Sequence, residues 1–214
     1  MALILKYRLS LIMEVDKNSV NEDNTYLIRS LYFDDLKSSA YIDKVDGIEK
    51  RVKYRIRVYN LDDSFIRLEI KEKNRDLCHK TQTVISKSVC EQLIKGKADL
   101  KLAEGDEVLT KFMTTMLTEH LMPSVIVDYH RLAYTYPVED VRITFDENIK
   151  SGRFNYDLFS QDILMYDTMD SKESVLEVKF NNHIPTHIVS VINSIPIIRQ
   201  AVSKYAICYE KKEV

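Results

Sequence analysis

The chain has 214 residues, of which 45% are hydrophobic and 30% charged, so it can bury a substantial core and does not resemble a disordered chain. Its formal net charge of -2 argues against a general nucleic-acid binder, a class that is usually strongly basic. The three cysteines lack CxxC spacing, which argues against a disulfide framework or a structural zinc site and predicts a reducing, cytoplasmic compartment.

The hydrophobic pattern predicts one α+β domain over residues 1–214, dominated by antiparallel strands. In chain order, the first half is predicted to contain an amphipathic helix over 4–14, a strand over 26–33, a short helix over 38–45, long strands over 50–59 and 65–73, and a strand near 79–86. The second half is predicted to contain helices over 86–97 and 106–121, strands at about 124–135, 141–147, 163–166 and 174–181, a helix over 186–195 and a final strand over 203–210.

The most distinctive predicted strand, 50–59, alternates charged and apolar side chains along its length. Because alternate side chains of a strand point to opposite faces, one face carries a row of four cations. These cations are Arg51, Lys53, Arg55 and Arg57. Like charges in a row repel one another, so the pattern calls for a bound polyanion or for carboxylates on neighbouring strands.

The same alternation recurs in three later predicted strands. Their polar faces carry Arg67, Glu69, Lys71 and Lys73, then Arg142, Thr144 and Asp146, then Glu177 and Lys179. A single strand of this kind is usually the solvated face of an ordinary sheet. Four such strands with clustered Arg and Lys favour a shared anion site instead. Since the predicted helices need the apolar strand faces, the charged faces are expected to point away from the helices, into the lumen of a closed sheet.

Other motifs narrow the function further. The four glycines are too widely spaced for GxGxxG or GxxxxGK[ST], so a bound phosphate must be held by side chains. No GxSxG or HExxH occurs. His183 and His187 have the spacing of a helical metal-binding pair, but Pro185 interrupts it, so we interpret them as a loop pair. The longest apolar segment, 188–198, is too short and too polar to span a bilayer.

Seven segments, taken in order, resemble the VTC domain, the catalytic domain of the vacuolar transporter chaperone polyphosphate polymerases. They are RSLYFD at 29–34, KYRIRVY at 53–59, LEIK at 68–71, YHRLAY at 129–134, RITFD at 142–146, LEVKF at 176–180 and SKY at 203–205. This family belongs to the triphosphate tunnel metalloenzymes, a CYTH-like superfamily. The resemblance therefore implies an antiparallel eight-stranded β-barrel with helices packed outside. The first strand of that barrel has no clear match in this sequence.

The resemblance implies a polyphosphate polymerase that transfers the γ-phosphate of ATP to a growing polyphosphate chain in a basic tunnel, with Mn²⁺ or Mg²⁺ as cofactor. The implied catalytic residues are Arg55, Arg57, Lys71, Arg131, Arg142 and Lys204, the last of them on the final strand. The same residues are implied to bind substrate, together with Lys53 and Lys179. Glu177 is the implied metal ligand, with Glu69 and Asp146 as weaker candidates.

Two further functions stay open. One is a tunnel-type triphosphatase or polyphosphatase, and the other is a non-catalytic module that binds polyphosphate or triphosphate. Dedicated hydrolases of the superfamily carry more inward-facing acids than this chain, which favours the polymerase or the binder. The unmatched first strand in turn favours the binder over the polymerase.

The expected partners are ATP and polyphosphate or inorganic triphosphate, with no nucleic acid. No membrane segment is expected in the chain itself, although relatives are tethered to a membrane by partner proteins. An unpaired barrel edge would also invite a homodimer.

Overall fold

The computed structural model describes residues 1–19, 21, 23–152, 154–170 and 173–212. The helices are α1 (Ala2–Ser10), α2 (Ser39–Val45), α3 (Lys87–Ile94), α4 (Glu107–Glu119), α5 (Thr186–Ile192) and α6 (Lys204–Lys212). The strands are β1 (Glu14–Val15), β2 (Thr25–Asp34), β3 (Lys50–Tyr59), β4 (Ile66–Asn74), β5 (Leu77–Ile85), β6 (Met122–Tyr136), β7 (Val141–Gly152), β8 (Met165–Asp167) and β9 (Ser174–Lys179). Of the helices described, none has both the length and the apolar character needed to cross a membrane.

The nine strands belong to one antiparallel sheet. Its hydrogen-bonded path runs β5-β4-β3-β2-β6-β7-β8, and two further pairs add β1 to β6 and β9 to β7. Within the described ranges, hydrogen bonds do not close this sheet. The predicted α+β class and antiparallel sheet are therefore confirmed, while the eight-stranded closed barrel and its lumen stay predictions.

The chain divides into two compact units. Unit 1 comprises Met1–Leu27, Tyr129–Ile149 and Met169–Val202, and unit 2 comprises Ile28–Asp128, Lys150–Thr168 and Ser203–Val214. Each unit has its own hydrophobic core and its own charged sheet face, and each is described separately below.

In unit 2, helices α3 and α4 cover the apolar face of β3 and β4. Ile56 and Leu68 of these strands are fully buried in the same cluster as Phe112 of α4. Each fully buried side chain of this size contributes about 1.5–3 kcal/mol to stability. The helices begin where the sequence predicts, because Ser86 caps α3 and Asp106 caps α4, each accepting a hydrogen bond from a first-turn backbone N–H.

In unit 1, helices α1 and α5 cover the apolar face of β6 and β7. Leu5 and Leu9 of α1 pack in one buried cluster with Phe145 of β7 and Ile188 of α5. Helices therefore cover the apolar strand faces in both units, as the alternating pattern predicts, and the charged side chains of these strands lie on the other face.

The last element, α6, is a helix, so the predicted final strand over 203–210 is wrong. Tyr205, Ile207 and Tyr209 alternate as in a strand, which explains the misreading. However, the buried side chains are Tyr205, Ala206, Cys208 and Tyr209, and this spacing is helical. The Ser203 hydroxyl accepts a hydrogen bond from the backbone N–H of Ala206 and so caps the helix. Lys204, implied on a final strand, is instead the first residue of α6.

Candidate functional site

The register of unit 2 gathers cations from three strands into one row. Lys53 of β3 lies directly opposite Lys71 of β4, and Lys71 lies directly opposite Lys80 of β5. Like charges that face each other across strands are destabilising unless something compensates them. Glu69 compensates Lys80, so Lys53 directly opposite Lys71 is the pair that calls for a further anionic partner.

The next row of this face is centred on Glu69, which lies directly opposite Arg55. The Glu69 side chain is fully buried, and it accepts hydrogen bonds from Arg55 Nε at 2.5 Å and from Lys80 Nζ at 2.5 Å. The Arg57 guanidinium lies 3.8 Å from the same carboxylate. Burial would raise the pKa of Glu69, but Arg57, Arg55 and Lys80 together lower it to about 2. Glu69 is thus an ionised internal counter-ion for three cations.

Aromatic side chains hold Arg55 from its other side. The Arg55 guanidinium donates to the Tyr32 hydroxyl at 2.9 Å and lies 5.8 Å from the centre of the Tyr32 ring. That ring in turn stacks on Tyr205 of α6, with centroids 4.9 Å apart. Arg55 is therefore fixed in position before any ligand arrives, which reduces the entropy that it would lose on binding.

Lys53 lies in a partly desolvated corner of the same face. Its Nζ donates to the Ser203 hydroxyl at 2.8 Å and lies 5.5 Å from the centre of the Tyr205 ring. Burial is the main cause that lowers the pKa of Lys53 to about 8, helped by Lys71 and other nearby cations, whereas Tyr32 opposes the shift. The charged form of Lys53 is therefore only slightly favoured near neutral pH, and a bound anion would stabilise that form.

Unit 1 carries a second charged face, on β6, β7 and β9. Arg131 forms a bidentate pair with the fully buried Asp146, with Nε–Oδ1 at 2.6 Å and Nη2–Oδ2 at 2.8 Å. Burial is the largest single influence and opposes the charge of Arg131, but the hydrogen bond to Asp146 together with the charges of Tyr129, Asp146 and Tyr26 raises the pKa of Arg131. Glu177 lies 3.8 Å from Arg131 and 3.4 Å from Lys179.

Arg142, on the same face of unit 1, is held by a carboxylate and a phenol. Its Nη2 lies 2.6 Å from Oδ2 of the buried Asp16 and donates to the Tyr26 hydroxyl at 3.2 Å. Each of the two arginines implied here by resemblance therefore has its own buried carboxylate. Such pairing fixes the direction of a guanidinium while leaving it charged.

Four residues of these faces are not among those that the sequence predicts for the site: Lys80, Tyr32, Asp16 and Tyr26. Lys80 could have been found, because two residues, Arg75 and Asp76, connect β4 to β5, and a turn this short fixes the register that places Lys80 opposite Lys71. Asp16 gave no such signal, since it lies between the predicted helix over 4–14 and the predicted strand over 26–33, far along the chain from Arg142.

The carboxylates differ in their fitness for a divalent metal. No group of three or more His, Cys, Asp or Glu side chains could hold an ion in the part of the chain described here. Both oxygens of Glu69 and of Asp146 accept hydrogen bonds from cationic side chains. The Glu177 side chain is 41% exposed, and Lys179 and Arg131 lie 3.4 and 3.8 Å from its carboxylate. Since Mg²⁺ is commonly held by one or two carboxylates plus substrate phosphates, Glu177 fits a metal that arrives with a phosphate chain.

The two histidines do not share a helix, and only His183 lies in a loop. Pro185 is the cap residue that precedes α5, so His183 lies outside the helix while His187 lies inside it. His183 approaches Glu139 at 3.4 Å, and the His187 ring packs against Tyr136.

Comparison with known proteins identifies similar chains. Residues 3–212 match the family model described as the VTC domain. No curated protein sequence matches this chain. Among solved structures, one similar chain is HpAC1 from Hippeastrum, an adenylyl cyclase candidate with a dominant triphosphatase activity. Its sequence is 13% identical, and the two structures superpose with a TM-score of 0.55. The match covers 98% of this chain and 90% of HpAC1. A Bacillus halodurans protein assigned as an adenylate cyclase is 12% identical with a TM-score of 0.47, over 94% and 90%. The first of these likenesses shows a shared fold.

Proposed function

The chain belongs to the VTC-domain family, and from that membership and the basic face of unit 2 we propose that it is a polyphosphate polymerase. It would transfer the γ-phosphoryl group of ATP to the end of a polyphosphate chain, with Mn²⁺ or Mg²⁺ as cofactor. The observation that carries this proposal is the row of Lys53, Lys71 and Lys80 in direct register. Such a row is stabilised by a linear polyanion that lies across the strands.

The arginines and lysines of unit 2 would bind the phosphate chain. Arg55 and Arg57 would bind phosphate oxygens in pairs, because a guanidinium matches two oxygens at once. Lys53, Lys71 and Lys80 would neutralise further phosphates as point charges. Lys204 adjoins Ser203, which contacts Lys53, so we keep Lys204 as a substrate residue despite its helical position. Glu69 would position the arginines rather than bind metal.

In unit 1, we propose Arg131, Arg142 and Lys179 as further substrate-binding residues. Asp146 would orient Arg131, as its bidentate geometry favours. Glu177 would hold the divalent ion, which when bound neutralises charge on phosphate oxygens. These roles follow from the family motifs and from the pairing of each arginine with a buried carboxylate.

The residue chemistry suits phosphoryl transfer between phosphates. This reaction needs little covalent chemistry from the protein, and depends on positioning and on neutralising the phosphate oxygens. A polyphosphate terminus is already largely ionised, so it needs no strong general base. Hydrolysis instead needs an activated water. Cations engage both Glu69 and Asp146, so neither carboxylate is placed to activate that water, which favours transfer over hydrolysis.

A second candidate function is a triphosphatase. It is favoured by the dominant triphosphatase activity of the Hippeastrum protein, whose fold this chain shares. Both functions would use the same cations, so the products must separate them.

The test is incubation of the purified chain with ATP and Mn²⁺, with the products separated on a polyphosphate gel. Arg55→Ala is the test variant, and Arg8→Ala, at an exposed position of α1 outside both charged faces, is the matched control. A metal-dependent ladder that persists in Arg8→Ala and falls about 10- to 100-fold in Arg55→Ala supports the polymerase. Phosphate release without a ladder overturns it in favour of the triphosphatase.

If neither a polyphosphate ladder nor free phosphate forms, the melting temperature is measured with and without inorganic triphosphate. If inorganic triphosphate then raises the melting temperature of the parent and of Arg8→Ala but not of Arg55→Ala, the chain is a binding module. If triphosphate raises none of them, the anion-site interpretation of the basic face is wrong.

A further inference from the structure

Strand β5 is an exposed edge of the sheet with features that suit pairing with another strand. It ends the hydrogen-bonded path and pairs with β4 along its full length of nine residues. Across the described ranges, no strand pairs with its other side. Edge strands of this length are usually blocked by proline, by a bulge or by outward-pointing charges. β5 contains neither proline nor glycine, and its register with β4 is continuous.

The charges on β5 do not block the edge either. Lys80 is held by Glu69 of β4 at 2.5 Å, so it is engaged within its own chain. His79 lies 3.9 Å from Glu72, which is also on β4. The outer side of β5 therefore presents free main-chain hydrogen-bonding groups without a charged gatekeeper.

We propose that two copies of this chain associate by antiparallel pairing of β5 with β5 of a second copy, centred on Thr81. The sequence of the strand is self-complementary in this register. Leu77 faces Ile85 of the partner subunit, Cys78 faces Val84 of the partner subunit, His79 faces Thr83 of the partner subunit, and Lys80 faces Gln82 of the partner subunit. Apolar residues thus meet apolar residues, and no like charges lie directly opposite each other.

The alternative registers are poorer. Only pairing centred on Thr81 overlaps all nine residues of the strand. Pairing centred on Lys80 or on His79 places that residue opposite its own copy, which brings like side chains of a basic type together. Overlap therefore favours the register centred on Thr81, and charge disfavours the registers centred on Lys80 and on His79.

Thr81 provides an independent observation. Its hydroxyl oxygen is buried and has no hydrogen-bond partner in the described structure. Buried hydroxyl groups are normally satisfied. In the proposed pairing, Thr81 lies opposite Thr81 of the partner subunit, where a change of the χ1 rotamer brings the two hydroxyls together to hydrogen bond across the strands. The same pairing continues the sheet with the two unit 2 basic faces on one side, because opposed residues of an antiparallel pair share a face.

Two matched double variants test the pairing by sedimentation equilibrium. Cys78→Lys/Val84→Lys places like charges opposite each other twice per dimer, whereas Cys78→Glu/Val84→Lys places opposite charges there. Both positions are exposed, and the melting temperature of each variant reports whether the fold is kept. The first variant should dissociate about 5- to 30-fold more readily than the parent, and the second should dimerise at least as tightly. A monomeric parent, or equal dissociation constants for the two variants, would overturn the proposal.

A disulfide test fixes the register. In a Cys78→Ser background, Thr81→Cys places two cysteines directly opposite each other, and oxidation should form a covalent dimer. Val84→Cys in the same background is the control, because its copy lies at the other end of the paired strands. The remaining cysteines, Cys90 and Cys208, are buried. Equal crosslinking of the two variants would contradict the register centred on Thr81.

Discussion

Arg55 and Glu69 face each other directly across β3 and β4, and Arg55 Nε donates to Glu69 Oε2 at 2.5 Å. The Glu69 side chain is fully buried, while 18% of the Arg55 side chain is exposed. Glu69 therefore anchors Arg55 from inside the sheet and leaves its outer edge to solvent. This arrangement suits a positioning carboxylate whose removal would leave Arg55, Arg57 and Lys80 without their shared counter-ion.

Glu69→Gln should destabilise the protein by about 2–4 kcal/mol at pH 7, because breaking a buried pair leaves uncompensated cations. The pKa of Glu69 is about 2 in the fold, below its ordinary value of 4.5, so its stabilisation is present above pH 4.5 and is lost as the pH falls towards 2. Urea unfolding at pH 7 and pH 3 should therefore show a gap between parent and variant that narrows in acid. Glu49→Gln, at an exposed pair with Arg75, should change stability little at either pH.

Lys53 should make triphosphate binding depend on pH near 8. Burial lowers the pKa of Lys53 to about 8, whereas a bound phosphate stabilises the charged form. Affinity for inorganic triphosphate, measured by calorimetry, should therefore fall about ten-fold between pH 7 and pH 9. Lys53→Arg stays charged over this range, so its profile should lack the fall. Identical profiles for parent and variant would exclude Lys53 as the titrating group.

The unliganded protein should show the opposite trend. Because the pKa of Lys53 is lower in the fold than its ordinary value of 10.5, folding disfavours the charged form. The stability contributed by this group should accordingly rise as the pH increases from about 8 towards 10.5.

The sequence predicts the charged faces well because strand alternation is a local property. Alternate side chains of a strand point to the same face in any sheet, so Arg55 and Arg57 share one face of β3. Glu69 and Lys71 share one face of β4 for the same reason. What the sequence does not predict is which residues meet across distance. The pairing of Arg142 with Asp16 depends on the path of a loop, and no local pattern encodes it.

The error at α6 has a different origin. Tyr205, Ile207 and Tyr209 satisfy a strand period, while Tyr205, Ala206, Cys208 and Tyr209 satisfy a helix period, so a short segment fits both. Tertiary contacts decide between them. The Tyr205 hydroxyl donates to the buried Asp34, and its ring stacks on Tyr32, both of which lie on β2.

The contacts of Tyr205 can be separated by two substitutions. Tyr205→Phe removes only the hydroxyl, and Asp34 keeps hydrogen bonds from the backbone N–H groups of Asp35, Ala40 and Tyr41. It should cost about 1–2 kcal/mol and leave triphosphate affinity unchanged. Tyr205→Ala also removes the ring beside Lys53, so it should cost about 3–5 kcal/mol and weaken triphosphate binding. Equal effects of the two changes on stability and binding would show that the ring does not support Lys53.

The bidentate pair of Arg131 and Asp146 should be strongly coupled. Lysine cannot reproduce two parallel hydrogen bonds, so Arg131→Lys and Asp146→Asn should each destabilise the protein, and the double variant should cost less than their sum. A double-mutant cycle should give a coupling energy of about 2–3 kcal/mol. The exposed pair of Lys87 and Asp63 should give about 0.5 kcal/mol or less in the same experiment. A similar value for both pairs would show that burial of Asp146 adds nothing to the interaction.

Glu177 and Glu69 should differ in their effect on metal binding. Glu177 is 41% exposed, with Lys179 and Arg131 at 3.4 and 3.8 Å, whereas Glu69 is fully buried and both of its oxygens accept hydrogen bonds at 2.5 Å. A metal ligand must be accessible to the ion, and Mn²⁺ or Mg²⁺ needs only one or two carboxylates when phosphate oxygens complete its shell. Titration of Mn²⁺ into protein saturated with triphosphate should therefore show weaker metal binding for Glu177→Gln and unchanged metal binding for Glu69→Gln. The two variants carry the same Glu→Gln substitution, so each is the matched control of the other. Weaker metal binding for Glu69→Gln and unchanged binding for Glu177→Gln would assign the metal to Glu69 and leave Arg55 without a dedicated counter-ion.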